Sequence, residues 1–219
     1  MSRSQIYLLF VLSSLLMTGC YAPVGIQSPH VVDKGRLVVN GSLHLGSYFE
    51  TDLDDRDEDE ARITGMGHIG LRYGLFNRVD AGVDINSAGG SLWDVKVAVL
   101  GDKYSKWSLS AGAGLHNWAL IPVAGSTQWY LPLFISYQPK TDISWFISPR
   151  YMRGWKGDND FSTIWEINTL HQGGLGFGFE KRLNAFDLII GGQYLYSNQG
   201  LADNPYRNIW QLGFMIRTN

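Results

Sequence analysis

The sequence predicts an all-β chain, an antiparallel up-and-down β-barrel of about ten strands. Three observations predict it. Apolar and polar residues alternate with period two in ten stretches from residue 35 onward. The connections between those stretches alternate between tight and long. Aromatic residues gather at the stretch ends and leave the middles aliphatic. Period two is the mark of a strand whose two faces meet different surroundings.

The stretches follow in order. Residues 36–46 set Leu37, Val39, Leu43 and Leu45 on one face and Arg36, Asn40, Ser42 and His44 on the other. Residues 63–73 continue the rule, with His68 and Arg72 on the polar face and Arg62 just before them. Residues 78–86 set Val79, Ala81, Val83 and Ile85 against Arg78, Asp80, Asp84 and Asn86. In 92–100 the polar face carries Asp94 and Lys96. Residues 107–116 set Trp107, Leu109, Ala111, Ala113 and Leu115 against Ser108, Ser110, Gly112, Gly114 and His116. The same alternation runs through 128–137, 143–152 (with Arg150), 166–180 (with Glu166 and Glu180), 186–196 (with Asp187) and 208–217 (with Arg217). Helical periodicity is absent.

Tight connections fall at 75–78, 102–106, 139–142 and 183–186. The others are 47–61, 117–126, 155–165 and 197–207, with only 87–90 short among them. Parity places Tyr73, Trp107, Tyr137, Trp145, Phe179 and Phe186 on the apolar face toward the tight turns. It places Phe49, Trp93, Trp129, Tyr151, Tyr196 and Trp210 on that face toward the long connections. Two aromatic belts around an aliphatic band fit a bilayer with two interfaces, because Trp and Tyr rings settle at headgroup depth. The stretch 70–84, GLRYGLFNRVDAGVD, resembles the strand–turn–strand hairpins of small bacterial outer-membrane barrels. The resemblance covers the architecture of 35–219. It implies short turns on the periplasmic side, long loops outside and a polar lumen. The chain departs from such barrels at its end, Arg217-Thr218-Asn219, where they often close on an aromatic residue.

The N-terminus carries Arg3 and then an apolar run, Ile6–Met17, too short to span a bilayer. It reads as a signal peptide. Leu16-Met17-Thr18-Gly19-Cys20 resembles the lipobox of bacterial lipoproteins, in which the cysteine becomes the acylated first residue of the mature chain. The resemblance makes Cys20 the lipidation site, the palmitate-bearing anchor of a Gram-negative envelope protein. Residues 1–19 are then removed, 20–34 form a lipidated segment at the periplasmic face, and 35–219 form the barrel. Cys20 is the single cysteine, so the chain holds no internal disulfide. A net charge of −2 argues against a nucleic-acid partner.

The polar face yields the candidate sites. Arg36, Arg62, Arg72, Arg78, Asp80, Asp84, Lys96, Arg150, Glu166 and Glu180 are expected to form a charge network filling a narrow lumen. His44, His116 and Asp94 are the residues a general base would draw on. Asp94 and His116 stand on neighbouring strands, but no motif fixes a nucleophile. The run 50–61 contains eight acidic residues, and Asp52, Asp54, Asp55, Asp57 and Asp59 are its candidate Ca2+ ligands. That run lacks the glycine an EF-hand loop needs, so no cofactor is assigned.

The functional expectation is a lipid-anchored outer-membrane barrel without catalysis, structural or surface-binding through 47–61, 117–126 and 155–165. Both termini are expected in the periplasm. The expected partners are outer-membrane lipid and the β-barrel assembly machinery, and the protein is expected to be a monomer. The alternatives are a barrel enzyme hydrolysing lipid or peptide, a narrow channel, and a soluble lipocalin-like lipid carrier.

Overall fold

The computed structural model describes residues 25–51, 59–87, 89–117, 127–156, 168–198 and 208–218. Ten strands follow one another: β1 (Leu37–Thr51), β2 (Asp59–Phe76), β3 (Val79–Asn86), β4 (Ser91–Leu100), β5 (Trp107–Asn117), β6 (Thr127–Lys140), β7 (Ile143–Lys156), β8 (Asn168–Arg182), β9 (Phe186–Asn198) and β10 (Asn208–Thr218). Each pairs antiparallel with its chain neighbours. β1 also pairs with β10, from Asn40 opposite Arg217 to Tyr48 opposite Ile209, and closes the barrel. Closure leaves no unpaired sheet edge.

All ten alternating stretches of the sequence are strands. The β1–β2 hairpin is longer than expected. Pairing continues to Thr51 opposite Asp59, so 47–51 and 59–61 belong to the ladder rather than to a 47–61 loop. Likewise β5 runs through Asn117, β7 through Lys156 and β9 through Asn198. Backbone pairing extends past the last apolar side chain because hydrogen bonds, not hydrophobicity, end a ladder.

Side chains sort by parity. Leu43, Leu45, Ile69, Ile147, Leu175, Phe177, Ile190, Leu212 and Ile216 point outward and are exposed. Tyr73, Trp107, Trp145 and Phe186 ring one end of this apolar surface, and Trp93, Trp129, Tyr151, Tyr196 and Trp210 ring the other. Trp107 stacks near Tyr137, and Trp145 near Phe179, with ring centroids 4.7 and 4.9 Å apart. The inward face is polar and buried. Inward glycines leave room for guanidinium groups: a Cβ on Gly176 would lie 2.5 Å from Arg150 Nη2, and one on Gly82 2.9 Å from the Arg72 side chain.

The segment before β1 departs from expectation. It does not rest beside the barrel mouth. Residues 25–32 run inside the barrel, where Ile26, Ser28, His30 and Val32 are buried. The segment leaves the lumen at the tight-turn end. There Gly35 N–H donates to Gly74 C=O and Gly74 N–H donates to Arg36 C=O. Gly35 makes the reversal into β1 at φ +76°, a backbone state open to glycine at little cost.

Candidate functional site

Among the described residues, buried polar groups converge in the lumen. Period two sends every second residue of every strand into it, so its chemistry is the sum of ten polar faces. In the half near the tight turns, two charge clusters form on opposite walls. On one wall Arg72 Nη2 donates to Asp80 Oδ1 at 2.5 Å, and Arg72 Nη1 reaches Asp94 at 2.9 and 3.0 Å. On the other, Arg217 Nη2 donates to Asp187 Oδ2 at 2.5 Å and lies 3.5 Å from Glu180 Oε1, while Arg182 Nε approaches the same Glu180 oxygen at 3.4 Å. These charges are buried yet paired, which is the condition under which buried charge is tolerated.

The threaded segment joins the two walls. Its Ser28 hydroxyl donates to Glu180 Oε2 at 2.8 Å, and its Ser28 carbonyl accepts from Lys96 Nζ at 2.7 Å. Ser110 Oγ donates to Pro29 C=O at 2.5 Å, and Val32 N–H donates to Asp80 Oδ2 at 2.7 Å. Ile26 packs with Phe146, Ile189 and Met215. The segment therefore occupies the lower lumen, giving Lys96 and Ser110 acceptors there and adding donors to Asp80 and Glu180. His30 lies 3.4 Å from Ser144 Oγ; burial lowers its pKa to about 4, against the opposing pull of Glu180.

At mid-height, a Cβ on Gly25 would lie 3.2 Å from His68 Nδ1 and 3.3 Å from His44 Nε2. His68 Nδ1 pairs with Asp84 Oδ1 at 2.7 Å, and Ser42 Oγ lies 2.8 Å from His44 Nε2. The two imidazoles meet edge to face at 4.8 Å. Toward the long connections, Arg150 donates to Gln193 and Gln193 to Gln211. Leu92, Tyr130 and Met152, from β4, β6 and β7, pack together in that half.

The structure brings together Arg72, Asp80 and Asp94, with Lys96 opposite Asp80 on the neighbouring strand and joined to Glu180 through Ser28; it sets Asp84 on His68, Arg150 on Gln193 and Glu180 between arginines. It does not place Arg36 and Arg78 in the network. Both are exposed at the tight-turn rim, where Arg36 lies 3.9 Å from Asp33 and Arg78 donates to Val99 C=O at 3.3 Å. They fall at strand ends, where parity ceases to decide burial. Asp94 does not meet His116: Asp94 stands opposite Gly114 and His116 opposite Leu92, and Arg72 takes the Asp94 carboxylate. His44 lies at the middle of β1 rather than near its long-connection end, because that strand extends to Thr51. Arg62 stands in β2 opposite Tyr48, and Asp59 opens that strand. Asp52, Asp54, Asp55, Asp57, Glu166 and Cys20 lie outside the described residues. Among the described residues no group of three or more His, Cys, Asp or Glu side chains is set to hold a metal.

Sequence reasoning missed Ser28, His30 and the threaded segment itself. Nothing in GIQSPHVV has strand or helix periodicity. The available signal was indirect: Lys96 and Glu180 have between them a single cross-strand counter-charge, since Lys96 stands opposite Gly112 and Asp80, and Glu180 opposite Ser144 and Ile189. Only Asp80 among these is a counter-charge, and Arg72 already holds it.

No family model matches the chain, and no curated protein matches it. Solved structures do. The COG4313 outer membrane channel from Pseudomonas putida F1 superposes with a TM-score of 0.54 at 10% identity, covering 90% of this chain and 99% of that one. At this identity the likeness shows the barrel fold. Neisserial surface protein A matches at 12% identity and a TM-score of 0.45, covering 83% of this chain and 96% of that one. The NanC porin matches at 14% identity and a TM-score of 0.44, covering 82% and 98%.

Proposed function

We propose that this protein is an outer-membrane β-barrel, lipid-anchored at Cys20, that acts without catalysis as a closed scaffold presenting its long connections for surface binding. One observation carries the membrane reading: the polarity of the barrel is inverted relative to a soluble one. Its outward face is an exposed aliphatic band between two aromatic belts, and its interior holds paired charges. In water that band would be a far larger apolar patch than soluble monomers expose. In a bilayer it meets lipid tails, and the belts meet headgroups.

The closed-scaffold reading follows from the filled lumen. A ten-strand barrel is narrow, and here the threaded segment occupies one half while Leu92, Tyr130 and Met152 pack together in the other. The same packing disfavours a lipocalin-like carrier, which needs an apolar cavity inside. It also disfavours an enzyme at His44, since Gly25 packs against that imidazole. The lipid anchor rests on the Leu16–Cys20 motif.

Two measurements test the reading. The folded protein should migrate faster than the heated protein on gels and should require detergent. A chain that is stable and monodisperse without detergent would overturn the membrane assignment. Substitution of His44 and His116 should leave any rim activity unchanged; a loss would restore the enzyme alternative.

A further inference from the structure

The charges outside the lumen are polarised along the barrel axis. A cation stands at or beside each of the four tight turns: Arg78, Lys106, Lys140 and Arg182. Lys34 and Arg36 of the emerging segment join them, and Lys103 and Lys181 complete a set of eight against Asp33, Asp102 and Asp142. Four of the eight are engaged: Arg36 and Lys103 share Asp33, Lys181 pairs with Asp142, and Arg182 pairs with Glu180. Lys34, Arg78, Lys106 and Lys140 are exposed and form no ion pair among the described residues. The long connections carry the reverse charge in sequence. The connections 52–58, 157–167 and 199–207 contain nine acidic residues and two arginines, and 87–90 and 118–126 contain no charge.

The basic ring stands just beyond the aromatic belt of Tyr73, Trp107, Tyr137 and Trp145. Belt residues mark headgroup depth, so the ring lies where lipid phosphates lie. Lysine and arginine stems run along apolar surface while their heads reach the phosphate layer. Building on the membrane reading above, we infer that the tight-turn rim binds the headgroups of anionic glycerophospholipids in the leaflet it faces. The four cations without an ion pair supply the attraction.

The test uses the full chain refolded into phosphatidylcholine vesicles with trace spin-labelled lipid. Electron spin resonance gives the association of a phosphatidylglycerol label relative to a phosphatidylcholine label in the motionally restricted shell. The expected preference is at least about threefold at low salt, falling toward one in about 1 M NaCl, where the Debye length is a few ångströms. The variant Lys34→Gln/Lys106→Gln/Lys140→Gln should fall toward one at low salt. These three side chains touch no lumen group, and the salt titration on the unaltered chain stands should the variant not refold. A ratio near one in the unaltered chain overturns the inference, as does a preference that survives both salt and the triple substitution. Absence of any restricted lipid component overturns the membrane reading instead, so the two failures are distinct.

Discussion

Arg72→Met should be among the most damaging single substitutions in the lumen. Arg72 is 7% exposed and bridges Asp80, fully buried, and Asp94, 5% exposed. Its removal strands two carboxylates. Asp80 keeps the Val32 N–H at 2.7 Å, but Asp94 keeps no hydrogen-bond donor among the described residues. Breaking a buried pair by deleting one partner costs about 3–5 kcal/mol, because the surviving charge stays desolvated. Here two charges survive, one of them partly compensated, so the upper half of that range is expected. Arg72→Lys keeps the charge but loses the fork that reaches both acids, and should cost about 1–3 kcal/mol. Arg72→Met/Asp94→Asn should recover part of the loss, since the worse of the two stranded charges is gone. Urea unfolding of the detergent-solubilised barrel, followed by tryptophan fluorescence and extrapolated linearly, gives all three numbers. A cost below about 1 kcal/mol for Arg72→Met would refute the claim that this charge triad holds the wall together.

Two further outcomes concern the threaded segment. His30 is held neutral in the lumen, with a pKa near 4 against an ordinary value of 6.5. A withdrawn or unfolded segment takes up a proton below pH 6.5 while the docked one does not, so docking should weaken as pH falls from 6.5 to 4, by about 3 kcal/mol in all. Hydrogen exchange of the 26–32 amides should track that window, and His30→Gln should flatten it. Gly74→Ala should unlatch the segment where it leaves the lumen. A Cβ there would sit 2.0 Å from the Asp33 carbonyl oxygen, a backbone clash that no rotamer relieves. Faster proteolysis between residues 25 and 36 is expected, with the barrel's heat-shift retained; unchanged cleavage would count against the latch.

The barrel was legible because two independent signals agree. Period two specified strands, and aromatic placement specified which face looks outward. Arg72, Asp80 and Glu180 were legible as lumen residues by parity alone. Their partners were not, because partnership depends on register across strands and on side-chain reach: Asp94 turns to Arg72 two strands away rather than to His116 on the neighbouring one. Strand ends were the weakest point. Arg36 and Arg78 obey the alternation but stand where the wall has ended. The threaded segment was invisible for a deeper reason. An extended chain inside a polar tube buries side chains on all sides, so it has no periodic face, and its hydrogen bonds are made by backbone atoms whose identity the sequence does not encode.

The same segment sharpens what the lipobox implies. Gly25 stands beside His44 and His68 at mid-height. His44 is seven residues along β1 from Leu37, which at about 3.3 Å per residue and a tilt of about 40° is roughly 18 Å above the tight-turn end. Cys20 precedes Gly25 by five residues, a reach of at most about 18 Å. That reach is spent returning down the lumen, before the chain has crossed the barrel wall to lipid. A Cys20 lipid in the leaflet at the tight turns and Gly25 at mid-lumen are therefore mutually exclusive. If acylation places the lipid in that leaflet, it must draw Gly25 and Ile26 down, and Ile26 must leave its cluster with Phe146, Ile189 and Met215. Ile26→Cys reports the difference. Its thiol should react with a maleimide at least about tenfold faster in the lipidated protein than in an unlipidated Cys20→Ala chain, since local opening governs access to a buried site. Equal protection in both forms, with the lipid mapped to the tight-turn leaflet, would mean that the chain finds a path shorter than its covalent geometry allows, and the threaded arrangement would have to be abandoned.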